Sequence, residues 1–440
     1  MSYSHIIKER IKSGELTSTL LDIYADESLI EYQIKRYVGA IEEYERLFEE
    51  NDGLQTKIFS APGRVEIGGN HTDHQHGEVL AAAINLDAIA ITSKTDDGMI
   101  RIISEGVGES IADVNNLKQE DNETGSMSAL VKGVLLGLKQ RGYNIGGFNA
   151  YVTSDVNIGS GLSSSAAFEV LICTIISHLY NDDKIDSITT AIISQYAENK
   201  FFGKPCGLMD QMACSVGNLV HVDFADVNNP VVEKVDFDLN SYGYSLCITD
   251  TKGSHANLTD EYAAVPDEMK KIASYFNKEV LAGISFEDII NNIRELREKY
   301  GDRAVLRAIH FITENNRVKD EVTALKNKDI DTFLNTVEKS GDSSFKYLQN
   351  VYVNSDVTHQ NVSIGLAASD VILSDGSGVA RVHGGGFAGT IQAFVKNERV
   401  KDYSKEMDEI FGDGSCRILK IRKYGGINVI NEKGYYNGAG

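Results

Sequence analysis

Four prolines in 440 residues, and no Gly/Ser or other low-complexity tract, leave this chain without the segments that ordinarily mark a flexible linker. With 42% hydrophobic and 24% charged residues, the composition is that of an ordered globular protein. No apolar run approaches the length that crosses a bilayer. The N-terminal stretch MSYSHIIKERIKSGELTSTLL interrupts its apolar residues with charge every few positions, so it lacks the apolar core of a signal peptide. Cysteines are few: Cys173, Cys206, Cys214, Cys247 and Cys416 are scattered, odd in number and without C-x-x-C spacing, which points to free thiols in a reducing compartment. A cytoplasmic location is the expectation.

Basic clusters are missing as well. Against 64 Asp and Glu the chain has 43 Lys and Arg, a formal charge of −21, and no local run of cations offsets it. Such a field repels nucleic acid and anionic lipid surfaces, so neither is expected as a partner. It also repels ATP, and a nucleotide site here needs local help from backbone N–H groups, a helix N-terminus or a metal ion.

The length exceeds what one hydrophobic core usually serves, so two domains are expected. Residues 16–50 carry apolar positions at helical spacing and predict one or two amphipathic helices without visible chemistry. From Lys57 onward β-rich segments (Val79–Thr92, Arg101–Ser104, Phe148–Thr153, Leu219–Phe224, Ser245–Thr251) alternate with helical runs at Met127–Gln140, Ser164–Tyr180 and Ile188–Phe201. Helical patterns dominate from Asp267 to Val371, followed by a strand at Thr390–Val395, a helix at Ser404–Phe411 and a strand at Arg417–Arg422. The order predicts α+β in both halves.

Three motifs carry chemistry. Asn157-Ile158-Gly159-Ser160-Gly161-Leu162-Ser163-Ser164-Ser165-Ala166 follows a strand and opens a long apolar helix. Glycines let the backbone close on a ligand, serines add hydroxyls, and the unpaired N–H groups of a helix start suit a phosphate chain. No Gly-Lys-Ser/Thr follows, so this is not a Walker A loop, and it is not G-x-G-x-x-G. A Ser/Gly turn capping a buried helix is the bland alternative. The second motif, Ala61-Pro62-Gly63-Arg64-Val65-Glu66-Ile67-Gly68-Gly69-Asn70-His71-Thr72-Asp73-His74, packs a cation, acids, an amide and imidazoles ahead of a strand, as a polyhydroxylated ligand requires. His71, His74 and His76 also suggest zinc, but at neither H-E-x-x-H nor finger spacing. The third, His383-Gly384-Gly385-Gly386-Phe387-Ala388-Gly389, is a tight backbone feature before an apolar strand.

These motifs in this order, over roughly residues 55–430, resemble the GHMP kinase superfamily and, within it, the galactokinases. Two further stretches carry the same resemblance: Pro205-Cys206-Gly207-Leu208-Met209-Asp210-Gln211, and Asp250-Thr251 followed by His255, Leu258 and Glu261-Tyr262. The resemblance implies a two-domain α+β GHMP kinase fold, with an N-terminal domain like ribosomal protein S5 domain 2 (1–225, with extra leading helices) and a ferredoxin-like C-terminal domain (226–440). The active site is expected between them, on a monomer.

The implied reaction is transfer of the ATP γ-phosphoryl to the anomeric hydroxyl of galactose, with Mg²⁺. Gly159, Ser160, Gly161, Leu162, Ser163, Ser164, Ser165 and Ala166 would wrap the ATP phosphates, and Ser165 and Glu198 would hold Mg²⁺. Arg64 and Asp210 would flank the reacting hydroxyl, with Asp210 as base or orienting group. Asn70, His71, Asp73, Gly207 and Tyr262 would contact the sugar. Outside that context, Asp210 reads as a solvated or capping carboxylate and Glu198 as the polar face of a helix.

The chain departs from the family's usual Gly-Arg-x-Asn-Leu-Ile-Gly-Glu-His-Thr-Asp-Tyr at Glu66, Gly68, Asn70 and His74. The acid that Asn70 replaces typically binds the sugar's 6-hydroxyl in that family, so Asn70 is expected either to bind galactose through its amide or to admit galacturonate. Asn157 and Ala388 replace a usual Pro and Gly, and Ala-Ala-Val-Pro follows Tyr262 where paired arginines often stand. Two other readings are a catalytically idle sugar sensor, disfavoured by retention of Arg64, Ser165, Glu198 and Asp210, and a kinase for mevalonate or homoserine, disfavoured by the Pro205–Gln211 and His71–Asp73 stretches.

Overall fold

The computed structural model describes residues 3–48, 55–120, 122–227, 229–253 and 258–430. Three helices lead the chain: α1 (Tyr3–Lys12), which lies ahead of the helical pattern read from residue 16, α2 (Thr17–Tyr24) and α3 (Ile30–Phe48). On α3 the side chains of Tyr37, Ala40, Ile41 and Tyr44 are buried, the i, i+3, i+4, i+7 stripe of a helix with one packed face.

There follow β1 (Lys57–Gly68), β2 (Glu78–Lys94), β3 (Met99–Ser104), β4 (Gly108–Asp113), α4 (Met127–Gln140), β5 (Phe148–Ser154), α5 (Ser164–Asn181), α6 (Ser187–Ala197), α7 (Met209–Val216), β6 (Leu219–Asp223) and β7 (Val231–Val235). β2 is 17 residues long, enough to be paired on one side by β1 and on the other by β6 over Glu78–Ala82 and then by β5 over Ala88–Lys94. The sheet continues from β5 to β3, in parallel, and then to β4, while β7 pairs with β6.

Period-two alternation along β2 places this sheet between two helical layers. Ala88 and Ala90 face α4 and α5, where small side chains let the helices approach, and Ile89 and Ile91 face Tyr37, Ile41 and Tyr44 of the leading helices. Each buried isoleucine contributes about 1.5–3 kcal/mol. Replacing fully buried Ile41 by alanine is therefore expected to cost ~2–5 kcal/mol in chemical denaturation, because its side chain packs among the leading helices and Ile89 and Ile91 of β2.

The second half contains β8 (Tyr244–Asp250), α8 (Thr259–Tyr275), α9 (Phe286–Asn291), α10 (Ile293–Tyr300), α11 (Asp302–Lys326), α12 (Ile330–Ser343), α13 (Asn361–Ile372), β9 (Gly378–Val382), β10 (Thr390–Lys396), α14 (Val400–Phe411), β11 (Cys416–Leu419) and β12 (Ile427–Asn428). Four of these strands form an antiparallel sheet in the order β11-β8-β10-β9. β7, beyond residue 225, belongs to the first sheet, and β12 returns to it, pairing Phe59 with Asn428 and Ser60 with Ile427.

The mixed α and β architecture is the one the sequence predicts. A shared core joins the halves: Val65, Ile67, Leu80 and Ala82 of the first sheet pack with Ile248, Phe394 and Leu419 of the second and with Val318, Val322 and Phe333 of α11 and α12. It fixes the C-terminal end of β1 against the second sheet, and the candidate site lies there. Among the described residues no helix is long and apolar enough to cross a membrane.

Candidate active site

The register of β1 against β2 shifts between Pro62 and Arg64 and again between Glu66 and Gly68. Such bulges bend a strand and re-aim its side chains. Gly63 is required at the first: a Cβ there would stand 2.8 Å from the Leu162 carbonyl and 3.1 Å from Val156. This close approach lays the strand against the loop that joins β5 to α5, and the Arg64 N–H donates to the Leu162 carbonyl at 3.1 Å.

In that loop Gly159, Gly161 and Ser163 have φ of 80°, 72° and 62°. Left-handed backbone costs glycine little, whereas Ser163 needs its surroundings to hold it there. Its hydroxyl donates to Asp210. Helix α5 begins at Ser164, so the N–H groups of its first turn lack carbonyl partners within the helix and point a partial positive charge outward. Leu162 and Ala166 are buried, so only their backbone can meet a ligand, and the Ser160 hydroxyl is taken by the Asn157 carbonyl at 2.6 Å.

Arg64 joins the loop to α7. Its Nε and Nη2 donate to the two Asp210 carboxylate oxygens at 2.8 and 2.7 Å, and its Nη1 donates to the Gly161 carbonyl at 2.6 Å. Burial alone would raise the Asp210 carboxyl, but the Arg64 guanidinium and the Ser163 hydroxyl override it and hold the group at about 2. Asp210 is thus ionised at neutral pH and, at 24% side-chain exposure, open to a substrate.

Beside this pair, Ser165 Oγ donates to Glu198 Oε1 at 2.9 Å. Glu198 is 1% exposed and also receives Lys204 Nζ at 3.1 Å and Gln211 Nε2 at 2.6 Å. The sequence motifs assign no role to Lys204 or Gln211. Gln211 stands in the Pro205–Gln211 stretch and is within reach of a motif reading, but Lys204 looks like an ordinary surface cation. Glu169, one turn along α5 from Ser165, carries no local signal either. Burial, with the neighbouring Glu198 charge, pushes its carboxyl well up, and Gln211 Nε2 reaches its Oε2 at 3.3 Å.

Gly207, ahead of α7, and Asp73, ahead of β2, meet. A Cβ on Gly207 would lie 1.7 Å from Asp73 Oδ2, so the carboxylate occupies the space that only glycine leaves. His71, at φ 60°, contacts the Gly385 carbonyl through Nε2 at 3.1 Å, and burial together with His74 pushes it down to about 3, so it is neutral. Tyr262 packs edge-on against Phe387 and donates to the Gly386 carbonyl at 2.7 Å. A Cβ on Gly385 would come within 2.7 Å of the Tyr262 ring. The His383–Gly389 loop is therefore a wall bound to both His71 and Tyr262. His383 itself accepts from the Glu66 N–H through Nε2 at 3.1 Å. His255 lies outside the described residues.

Asn70, expected at the sugar, is turned inward. It is 1% exposed, its Nδ2 donates to Glu66 Oε1 at 2.9 Å and to the Gly384 carbonyl at 2.6 Å, and its Oδ1 accepts from Asn350 at 2.7 Å. Both amide hydrogens are committed within the protein. The reason is Glu66: buried on β1 and paired with Arg381 at 3.0 Å, it draws the amide four residues on inward. The sequence shows Glu66 as a departure but gives no sign of Arg381, which is 315 residues away.

Known proteins resemble this chain over most of its length. The GHMP kinases N terminal domain matches residues 129–218, and the galactokinase galactose-binding signature matches residues 42–94. A galactokinase of Glaesserella parasuis is 32% identical over 369 residues, covering 82% of this chain and 91% of that protein. One of Streptomyces coelicolor is 30% identical over 83% of this chain and 91% of its own length. Among solved structures, Lactococcus lactis galactokinase complexed with galactose superposes with a TM-score of 0.75 at 23% identity, over 88% of this chain and 98% of that one. Methanococcus jannaschii mevalonate kinase gives 0.57 at 16% identity, over 83% and 98%. The chain belongs to the galactokinase family of GHMP kinases.

Proposed function

We propose that this chain is an ATP-dependent galactokinase that phosphorylates the anomeric hydroxyl of galactose. The observation that carries the reading is the Arg64–Asp210 pair, which is bonded to the β5–α5 loop at Gly161 and Ser163, with Asp210 following shortly after the Gly207 that packs on Asp73. An anion-receptive helix start, one cation and one ionised acid are tied together by hydrogen bonds, and Asp73 adds a carboxylate suited to sugar hydroxyls. Phosphoryl transfer asks a protein chiefly for positioning and charge stabilisation. Asp210 accepts a hydrogen bond from the 1-hydroxyl and aims its oxygen. With its affinity for protons so low, it orients the nucleophile and takes the proton only as the O–P bond forms. Arg64 offsets charge on the transferring group.

The residues present fit Mg²⁺. Ser165 and Glu198 offer a hydroxyl and a carboxylate oxygen in mutual contact at the loop, the hard, sparse donor set that Mg²⁺ accepts when phosphates supply the rest. These two residues would hold it, and it would neutralise phosphate charge. Glu198→Gln is then expected to raise the Mg²⁺ concentration for half-maximal turnover at least ~10-fold, with the sugar KM unmoved.

The committed Asn70 amide supports galactose over galacturonate, since it has no free N–H to offer a C6 carboxylate. The test is ADP release by purified protein against galactose, galacturonate, N-acetylgalactosamine, glucose and mevalonate. Galactose is the expected best substrate. Galacturonate in that place would move the specificity, and no turnover with any sugar would favour a sensor.

A further inference from the structure

Helix α3 reaches the nucleotide loop from the far side of the first sheet. Asp155, the residue after β5, receives the Tyr32 hydroxyl on Oδ1 at 2.7 Å, Gln33 Nε2 on Oδ2 at 3.4 Å and an ion pair from Arg36 Nη1 at 2.9 Å. Its backbone N–H donates to the Asp87 carbonyl at 2.9 Å. The next residue, Val156, is 2% exposed and lies against Gly63, and after it the chain opens into the loop proper. Ile158 is 76% exposed and Gly159 has open space about it, so the loop has little packing of its own. Its far half is held by Arg64 at the Gly161 and Leu162 carbonyls and by Ser163 on Asp210, and its near end through Asp155.

We infer that α3 is a positioning element of the nucleotide site, with Tyr32, Gln33 and Arg36 fixing Asp155 and so the near end of the phosphate loop. The inference rests on the reading of Gly159–Ala166 as the phosphate-binding loop. It gives the leading helices a role besides covering the sheet. Two of the groups that meet Asp155 are buried, Gln33 at 1% and the Arg36 side chain at 6% exposure, and Arg36 also holds the Asp87 carboxylate at 2.6 Å. Covering the sheet accounts for the Arg36–Asp87 pair but not for the Tyr32 and Gln33 bonds to Asp155.

Two variants separate this role from stability. Tyr32 is half exposed, so Tyr32→Phe removes one hydroxyl without opening a cavity. Asp155→Ala leaves Arg36 paired with Asp87 at 2.6 Å, so no buried charge is stranded. Glu45→Gln, which weakens the Lys8–Glu45 pair between α1 and α3, perturbs the same layer away from the loop. Binding of MgADP by calorimetry and the KM values for ATP and galactose are measured on all three.

The expected result is ADP affinity lowered about 3- to 10-fold in Tyr32→Phe, the range of one hydrogen bond's net worth, and about 10-fold or more in Asp155→Ala, where several are lost. The ATP KM should rise in parallel and the galactose KM should stay unchanged, while Glu45→Gln binds as wild type. Wild-type ADP affinity in both loop-side variants would overturn the inference alone, as would an equal loss in Glu45→Gln. Failure of the wild type itself to bind ADP would overturn the nucleotide-loop reading beneath it.

Discussion

Asp210→Asn is expected to lower turnover by ~10²–10⁴-fold while leaving MgADP binding measurable. The side chain is nearly isosteric, but an amide nitrogen would face either Arg64 or the Ser163 hydroxyl, both of which donate to the carboxylate now. Arg64, 8% exposed at its side chain, also loses its counter-charge, so the thermal midpoint should fall with the activity. Retained ADP binding at a temperature below that midpoint shows that the site is folded and assigns the loss to the chemical step.

The same carboxylate sets a pH expectation. Its value in the folded chain, about 2, lies below the ~3.9 of a free aspartate, so its ionisation favours the native state above pH ~4, and that contribution is lost as pH falls through about 2. His71 is already neutral above about 3. Neither group titrates near neutrality, and kcat/KM for galactose should show no loss of activity attributable to them from pH 8 down to pH 5.

The second large effect is expected at Gly207. In Gly207→Ala the new methyl would claim the position of the Asp73 carboxylate, 1.7 Å away, and the carboxylate must turn out of place. Loss of a charged hydrogen bond is worth ~1.5–3 kcal/mol, so the galactose KM is expected to rise ~10- to 100-fold. The ATP KM, read in the same assay, should stay where it is, because neither Gly207 nor Asp73 belongs to the phosphate loop. Asp73→Asn should raise the galactose KM in the same direction. An additive double variant would mean that the two positions act separately.

Much of this arrangement is legible in the amino-acid order. Periodicity locates α3 and α4 by their packed faces, apolar runs mark α5 and β2, and the family resemblance, not local spacing, singles out Arg64, Asp210, Ser165 and Glu198, which the structure joins as the pairs Arg64–Asp210 and Ser165–Glu198. What stays hidden depends on contacts remote in sequence. β9 reads Gly-Val-Ala-Arg-Val, and its Arg381 looks like a surface cation. It is fully buried because Glu66 and the Ile67 carbonyl receive it from β1. The inward turn of Asn70 follows from that pairing and from Asn350, 280 residues away. Polar residues Tyr32, Gln33 and Arg36 fall within a helical pattern, and nothing local shows that Asp155 is their common partner.

The measurement that bears most directly on the central claim is the position of the phosphoryl group in the product made from galactose, ATP and Mg²⁺, read by phosphorus–proton coupling in NMR. The account predicts phosphorus coupled to the anomeric proton, the mark of galactose 1-phosphate. Coupling to the C6 protons, or no sugar phosphate formed, would contradict it.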